Sequence, residues 1–260
     1  DPIEMRIDWR HVWQPDTEGK TVIEISAQPN RHFVHQADIS FVCDVGAGLR
    51  ALTEGLNGKP TWADGKALKM RESLKAAFPT DEVWGPAAVI DAARQAFPKH
   101  GFAAVDTGAH RILLSQQWTC YGPRTLVQST GLCTMGCAMP LAMGHKIANP
   151  DTPVIAFTGD AGMEMILGEM ATLRDMKLPV VTIVFVDESL SLIELKQRAN
   201  SQDNVGVDFG GTDFAAVAQA MGGNGVTATS REALMSAIEA GLNADTFTII
   251  ACPIGRKAYD

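Results

Sequence analysis

From about residue 88 onward, short apolar segments alternate with segments of helical periodicity, and this alternation limits the fold more than any other feature. The apolar segments have the length of strands and lack polar alternation, which is typical of strands buried on both faces. They are Phe102–Asp106, Thr125–Ser129, Pro153–Thr158, Pro179–Val186 and Thr246–Cys252. This pattern predicts a doubly wound α/β fold, with a mostly parallel sheet and helices on both faces. In such a sheet, ligands bind outside the carboxyl ends of the strands.

The segments between these strands predict helices, one of them directly after the first strand. The others are expected over residues 88–97, 135–148, 163–176, 213–221 and 231–242. The two strand-like runs and the helical run within residues 1–57 are too small to form a domain. The stretch "NGKPTWADG" is rich in Gly, Pro and Asp, so we expect residues 58–87 to be a linker. The chain starts with Asp1 rather than methionine, and we expect it to be part of a longer protein.

Composition and charge exclude several classes of partner. The 260 residues carry a formal net charge of −8 and no basic run, which argues against nucleic acid or an anionic membrane as the main partner. No targeting signal and no membrane-spanning segment is visible. The five cysteines are odd in number and scattered, so we expect reduced thiols in a cytoplasmic protein. Cys133 and Cys137 lack the second ligand pair of a zinc site.

Two of the predicted strands end in loops that suit a phosphate. The sequence "VDTGAH" places residues 107–110 after the first strand, and "FTGDAG" places residues 159–162 after the third. Small residues let backbone N–H groups approach an anion, and a helix that starts there favours negative charge. Asp160 would repel a phosphate on its own, so its presence indicates a bridging cation. Mg²⁺ is commonly held by one or two carboxylates together with phosphates.

A second carboxylate is expected at the same edge of the sheet. The strand after Asp160 ends "FVDES", with Asp187 directly behind it. Because one helix and one strand return the chain to the same edge, the two carboxylates should flank one crevice, where Ser189 adds a backbone carbonyl. A helix N-cap would be the simpler explanation of Asp160 taken alone. The pairing with Asp187 and the loop at Gly108 favour the cation site.

At these residues the sequence resembles the thiamine-diphosphate (ThDP) enzymes of the acetolactate synthase and benzoylformate decarboxylase superfamily. The segment "GDAGMEMILGEMATLRDMKLPVVTIVFVDESLSLIELKQ" resembles their ThDP motif, and "STGLCTMGCAMPLAMGHKIANPDTPVIAFTGD" resembles the block before it. "GAHRILLSQQW" is similar to the stretch that begins the diphosphate contact. The resemblance implies a pyrophosphate-binding domain at residues 88–260. It also implies, more weakly, a remnant of a middle α/β domain at residues 1–57.

The resemblance implies a role for each matching residue. Asp160 and Asp187 would bind Mg²⁺ through their side chains, and Ser189 through its main-chain oxygen. Met135 would wedge the cofactor into a bent conformation, and main chain at Cys133 would contact its aminopyrimidine ring. The implied cofactor contacts are Gly108, Ala109, His110, Cys133, Met135, Gly159, Asp160, Ala161, Gly162, Asp187, Ser189 and Leu190.

The sequence departs from the family pattern at two positions. Ala161 stands where the family has glycine, which suffices only if the turn does not need a left-handed residue. Val186 and Asp187 stand where the family has two asparagines. The additional carboxylate should attract the metal and repel the diphosphate, so we expect ThDP binding to depend steeply on Mg²⁺.

The resemblance also implies an activity and partners. The reaction would be decarboxylation of a 2-keto acid, with or without carboligation to a second carbonyl. The glutamate that activates the cofactor would come from a pyrimidine-binding domain with no counterpart in these residues, so no catalytic residue is expected in this chain. The family forms oligomers, and a homo-oligomer is expected here. The sequence does not determine whether FAD binds. The alternative is a ThDP-fold module that has lost its activity.

Other motifs have simpler explanations. Gly46, Gly48 and Ala51 match a dinucleotide fingerprint but lack the second strand and the acidic residue that it requires, so a turn entering a helix is the better interpretation. His32 and His35 have the spacing of metal ligands without companions, which favours a polar turn. His110 would donate a proton, contact the diphosphate or only pack. The apolar face of residues 190–197 would border the substrate or pack as an ordinary helix.

Overall fold

The computed structural model describes residue 19 and residues 21–29, 37–58, 64–129 and 132–259. The chain divides into two compact units, with the division between residues 67 and 68. His32 and His35 lie outside the described residues. The helix α2 (Lys66–Ala77) crosses the division and lies within the range that the sequence predicts as a linker.

The first unit contains two strands and one helix among its described residues. The strands β1 (Ile23–Ser26) and β2 (Ile39–Val42) pair in parallel, and α1 (Val45–Glu54) follows β2. Asp44 caps this helix, because its side chain accepts a hydrogen bond from the Ala47 N–H at 2.8 Å. The glycines of the dinucleotide-like motif lie inside α1 rather than in a turn before it, and this geometry does not present them to a phosphate.

The second unit contains a parallel sheet whose strands are joined by helices, as predicted. Its six strands are ordered β4-β3-β5-β6-β8-β7, and every neighbouring pair is parallel. After α2 the elements are α3 (Pro86–Ala96), β3 (Phe102–Val105), α4 (Ala109–Gln117), β4 (Leu126–Gln128), α5 (Ala138–Ala148), β5 (Val154–Gly159), α6 (Asp160–Glu164), α7 (Glu169–Asp175), β6 (Val181–Val186), α8 (Ser191–Ala199), α9 (Phe214–Ala220), β7 (Asn224–Thr227), α10 (Arg231–Leu242) and β8 (Thr248–Pro253).

Both faces of this sheet are buried, which confirms the doubly wound α/β class. Alternate residues of a strand point to opposite faces. Thus Ile155 and Phe157 pack in one core cluster with α3, α4 and α10, whereas Val154 and Ala156 pack in the other with α5, α7 and α9. The central strands β5 and β6 are buried along nearly their whole length. These strands therefore form a rigid support for the loops at their carboxyl ends.

The main differences from the prediction concern two helices and one strand. The helix expected over 163–176 is two helices, because a turn at residues 165–168 separates α6 from α7. The helix expected from residue 135 begins at Ala138, which places Pro140 in its first turn, where its missing N–H removes no helical hydrogen bond. The strand β7 was not predicted, since its four residues "NGVT" include Gly225 and carry little apolar signal.

No helix within the described residues is long and apolar enough to cross a lipid bilayer. The five cysteines are all free thiols, as expected.

Candidate functional site

A cleft with an empty volume of about 580 Å³ lies at the carboxyl ends of β3, β5 and β6. The loops after these strands and the turn before α5 form its walls, which is the location expected for a ligand site in a doubly wound sheet. Most of the predicted cofactor contacts line this cleft: Gly108, Ala109, His110, Met135, Gly159, Asp160, Ala161, Gly162, Asp187, Ser189 and Leu190. Thr107, Phe185, Ser191, Leu192 and Ile193 complete it.

Three helices begin at the cleft without a side-chain cap. The residues before α4, α6 and α8 are Gly108, Gly159 and Leu190, and none of them provides a side-chain acceptor for the first turn. Backbone N–H groups in the first turn of a helix have no partner within the helix, and they attract negative charge. The local sequence therefore leaves first-turn donors available at these helix starts, except the Ala161 N–H, which donates to the Asp160 carboxylate.

Asp160 is the first carboxylate of the cleft, and its side chain is nearly buried, with 4% exposed. One carboxylate oxygen accepts backbone N–H groups from Asp187 at 3.1 Å and Glu188 at 2.7 Å, and the other accepts the Ala161 N–H at 2.8 Å. Burial raises the pKa of Asp160, and these backbone donors lower it in part. The carboxylate thus joins the end of β5 to the loop after β6.

Asp187 is the second carboxylate and is 6% exposed. Its oxygens accept the Ser191 hydroxyl at 2.6 Å and the Ser189 N–H at 3.2 Å. Burial raises the pKa of Asp187 to about 6, and the negative charge of Asp160 adds to this rise. Both acids therefore have a raised pKa. A divalent cation would stabilise the pair in its charged form, because the cation compensates both negative charges.

Three polar side-chain atoms of the cleft are buried without a hydrogen-bond partner. They are Thr107 Oγ1, His110 Nε2 and Ser189 Oγ. A buried polar atom without a partner is unfavourable by about 1–3 kcal/mol. Three such atoms on residues that line one cavity favour a site that a polar ligand completes.

His110 is buried at the start of α4, with its ring stacked on Phe185 at a centroid distance of 5.3 Å. Burial lowers the pKa of His110 to about 4, and the nearby Arg111 lowers it further, whereas Asp106 raises it. The imidazole is therefore neutral at pH 7. His110 therefore lines the cleft without adding positive charge.

The backbone at Ala161 does not need a left-handed residue. This residue lies inside the first turn of α6 and is not among the residues with positive φ, so alanine is compatible with the backbone there. Gly162 is the position that needs glycine, because a Cβ would collide with Asp106 Oδ2 and lie 2.8 Å from Thr158 Oγ1. Gly136 has φ of +81° in the turn before α5, which also favours glycine.

Cys133 is the predicted contact that does not line the cleft. Its thiol accepts a hydrogen bond from the Arg111 guanidinium at 3.3 Å, and its backbone has φ of +50°. The side chain therefore points toward α4. The prediction for its main chain stays a prediction.

Sequence reasoning missed Asp106 and Ser191. Asp106 is fully buried beneath the cleft at the end of β3, and its place directly before the glycine loop was the available signal. Ser191 orients Asp187 through its hydroxyl. It lies four residues after Asp187, a spacing at which its hydroxyl can donate a hydrogen bond to the Asp187 carboxylate.

Within the described residues, no group of three or more His, Cys, Asp or Glu side chains could hold a metal ion. A site built on Asp160 and Asp187 would therefore need further oxygen ligands from the backbone, water or a bound phosphate. That donor set fits Mg²⁺, which usually keeps several such ligands.

Comparisons with known proteins identify a cofactor-binding domain over these residues. A family model described as thiamine pyrophosphate enzyme, C-terminal TPP binding domain, matches residues 106–252, which is more than half of the chain. The matched region runs from Asp106 to Cys252 and includes every predicted cofactor contact.

Two relatives and one solved structure show the extent of the similarity. Acetolactate synthase of Bacillus subtilis (strain 168) is 30% identical over 169 residues, which cover 65% of this chain and 30% of the relative. The catabolic acetolactate synthase of Raoultella terrigena is 26% identical over 255 residues, which cover 95% of this chain and 45% of the relative. Benzoylformate decarboxylase from Polynucleobacter necessarius has the same fold, with a TM-score of 0.74 and 20% identity over 92% of this chain and 45% of that chain. The chain thus spans less than half the length of each of them.

Proposed function

The chain belongs to the thiamine pyrophosphate enzymes and carries their C-terminal TPP binding domain, and from this premise we propose that it is the cofactor-binding part of an enzyme that uses ThDP and Mg²⁺ to act on 2-keto acids. The reaction is decarboxylation, carboligation to a second carbonyl, or both, as expected for an acetolactate synthase-like enzyme. The observation that carries this proposal is the pair of buried carboxylates, Asp160 and Asp187, on a cleft with unpartnered polar atoms.

In this proposal Asp160 and Asp187 would hold Mg²⁺ through their carboxylates, and Ser189 would hold it through its main-chain oxygen. The hydrogen bonds that Asp160 accepts from the loop after β6 support this role, because they fix the separation of the two acids. The Ser191 hydroxyl orients Asp187 in the same way. Such fixed outer partners are typical of metal-binding carboxylates.

The diphosphate of ThDP would lie against the uncapped helix starts at Gly108, Gly159 and Leu190. The side chains that line the cleft include no Lys or Arg, and two of its lining side chains are carboxylates. Backbone N–H groups and the metal would therefore supply all the positive potential for the diphosphate. This arrangement supports binding of ThDP together with Mg²⁺ rather than binding of ThDP alone.

When bound, ThDP supplies a carbon nucleophile for the 2-keto acid and an electron sink once CO₂ leaves. The chain's own residues bind and orient. Met135 lies half-buried in the cleft wall and would support the bent cofactor. Leu192 and Ile193 add an apolar wall that would exclude water at the substrate side.

Catalysis also requires a glutamate from a pyrimidine-binding domain, which the family places outside the region matched here. Glu164 and Glu169 are exposed on α6 and α7, and Glu188 lies 3.5 Å from the Arg256 guanidinium, so none of them is suited to that role. We therefore expect partnership with a pyrimidine-binding domain or chain in a homo-oligomer, in the cytoplasm. The chain alone should bind the cofactor and turn over no substrate.

Calorimetric titration of the 260-residue chain with ThDP tests the proposal. Saturable binding is expected with Mg²⁺, and much weaker binding with a chelator present. Equal affinities in the two conditions would contradict the metal-bridged site. Absence of binding in both, including in the presence of a pyrimidine-binding domain, would favour the alternative of a module without catalytic function.

One observation favours that alternative, namely the carboxylate of Asp187 where the family has an amide. The other departure does not favour it, since Ala161 has a helical backbone. Release of CO₂ from a 2-keto acid by the chain together with a pyrimidine-binding domain would decide for the enzyme.

A further inference from the structure

The side chain of Asp106 is fully buried at the end of β3 and is surrounded by neutral donors. Oδ2 accepts the Gly136 N–H at 2.6 Å and lies 2.9 Å from the Thr158 hydroxyl. Oδ1 accepts the Thr107 N–H at 2.7 Å, with the Cys137 N–H at 3.4 Å and its thiol at 3.6 Å. One carboxylate therefore collects hydrogen bonds from several directions.

These donors belong to three separate segments that meet at the cleft. Thr107 begins the loop before α4, Gly136 follows Met135 in the turn before α5, and Thr158 is the penultimate residue of β5. Gly162 also packs on the carboxylate, because any Cβ there would collide with Oδ2. The first turn of α6 is thus held against the same group.

We propose that Asp106 is the positioning residue of the cleft: its buried carboxylate fixes the loop at 107–110, the turn that carries Met135 and the first turn of α6 at the spacing that ThDP needs. This inference rests on the proposed function for the identity of the ligand. The geometry of the hydrogen bonds does not depend on it.

A carboxylate suits this role because both of its oxygens are acceptors and all the facing groups are donors. An asparagine of the same shape would turn an N–H₂ group toward Gly136 or toward Thr107. In either orientation one buried backbone N–H would lose its acceptor. Asp106→Asn therefore tests the acceptor pattern with almost no change in volume.

The matched control is Thr158→Val, which removes one side-chain hydroxyl and leaves the carboxylate with its backbone donors. Amide hydrogen exchange of Gly136 and Thr107 reports the state of the turn and of the loop before α4 without any cofactor. Titration with ThDP and Mg²⁺, at a temperature at which all variants are folded, reports the cleft. A purely structural role predicts a lower melting temperature without a loss of ThDP affinity.

We expect Asp106→Asn to accelerate exchange at Gly136 or at Thr107, whichever amide faces the N–H₂ group, and to lower ThDP affinity by about 10- to 100-fold, as for other residues that orient a metal or cofactor site. Thr158→Val should have a much smaller effect on exchange and affinity. A folded D106N protein in which both amides keep the protection of the unaltered chain, or which keeps its ThDP affinity, would overturn the proposal.

Exchange in the unaltered chain provides a second test, which applies even if D106N does not fold. The Gly136 amide should be much more protected than the amide of its neighbour Met135. Equal, rapid exchange of the two amides would overturn the proposal. Failure of the unaltered chain to bind ThDP, also in the presence of a pyrimidine-binding domain and with the Gly136 protection intact, would instead reject the proposed function and leave the role of Asp106 in fixing the three segments standing.

Discussion

The backbone N–H of Asp187 donates a hydrogen bond to a carboxylate oxygen of Asp160 at 3.1 Å. The position of Asp160 is therefore set by the main chain of the neighbouring loop and not by the side chain of Asp187. The two acids can be tested separately for this reason. Changing the side chain of Asp187 alters the charge of the cleft, whereas changing Asp160 alters both the charge and the connection between the loops.

Asp187→Asn should weaken the dependence of ThDP binding on Mg²⁺. The amide keeps an oxygen for the metal but removes one negative charge that faces the diphosphate. We expect the ratio of ThDP affinities with and without Mg²⁺ to fall by about 10-fold, on the order of 1.4 kcal/mol. Paired titrations with Mg²⁺ and with a chelator measure this ratio, and an unchanged ratio would contradict the electrostatic argument.

Asp160→Asn should strongly weaken the binding that depends on Mg²⁺. The amide offers the metal a neutral oxygen in place of a charged one, and its N–H₂ group either faces the Asp187 and Glu188 N–H groups or faces that of Ala161. At least one buried backbone donor then loses its acceptor, which destabilises the loop by about 1–3 kcal/mol. Urea denaturation measures the free energy of unfolding of the variant, and calorimetry measures its affinity for ThDP. Binding equal to that of the unaltered chain would exclude Asp160 as a ligand.

Gly162→Ala should be far more harmful than Ala161→Gly, although the two positions are adjacent. A methyl group at residue 162 meets Asp106 Oδ2 and Thr158 Oγ1, and such overpacking typically costs about 1–3 kcal/mol. Ala161 is helical, so its replacement by glycine should cost only about 0.5–1 kcal/mol and leave ThDP binding intact. Denaturant midpoints and ThDP titrations of the two variants provide the comparison. Similar losses in both would contradict the packing at residue 162.

The strands and the strand-end loops could be predicted from the sequence because their signals are local. The continuous apolar run at β5 and the glycines and Asp160 behind it stand within one short segment. The rule that parallel strands end at one edge then brings Asp160 and Asp187 together. Family resemblance added Met135 and Leu190, which composition alone does not distinguish from core residues.

Most of the contacts that the sequence did not reveal are between distant segments, although the one between Ser191 and Asp187 is local. Asp106 accepts from Gly136 and lies beside Thr158, and no periodicity connects those positions. Gly136 also packs on Ile166, which lies in the turn between α6 and α7. Hydrophobic periodicity continues through the turn and therefore predicts a single helix. Contacts between residues far apart in the sequence are visible only in the folded structure, because hydrophobic periodicity reports local structure alone.

Met135 offers a test of cofactor support in the cleft wall. Met135→Leu keeps a bulky apolar side chain, whereas Met135→Ala leaves a space of several methylene groups. Burial of each CH₂ contributes about 0.8 kcal/mol, so we expect Met135→Ala to lower ThDP affinity by about 10-fold or more and Met135→Leu to change it little. Because the residue is only half-buried, both variants should remain folded, which circular dichroism can check. Equal affinities of the two variants would exclude Met135 as a support.

His110 should make the stability of the chain depend on pH below neutrality. Burial lowers the pKa of His110 from 6.5 to about 4, so between these values the unfolded chain binds a proton that the folded chain does not. The contribution of neutral His110 is fully present above pH 6.5 and is lost as the pH falls toward 4, by about 1.4 kcal/mol for each pH unit.

The variant His110→Gln carries no titratable group at this position, so its free energy of unfolding should fall less steeply over the same range. Carboxylates such as Asp187 titrate in both proteins, and the difference between the two curves isolates the histidine. Urea denaturation at intervals between pH 7 and pH 4 measures both curves. The slopes should differ by about one proton below pH 6.5 and converge above it. Parallel curves throughout would show that His110 is not buried in its neutral form.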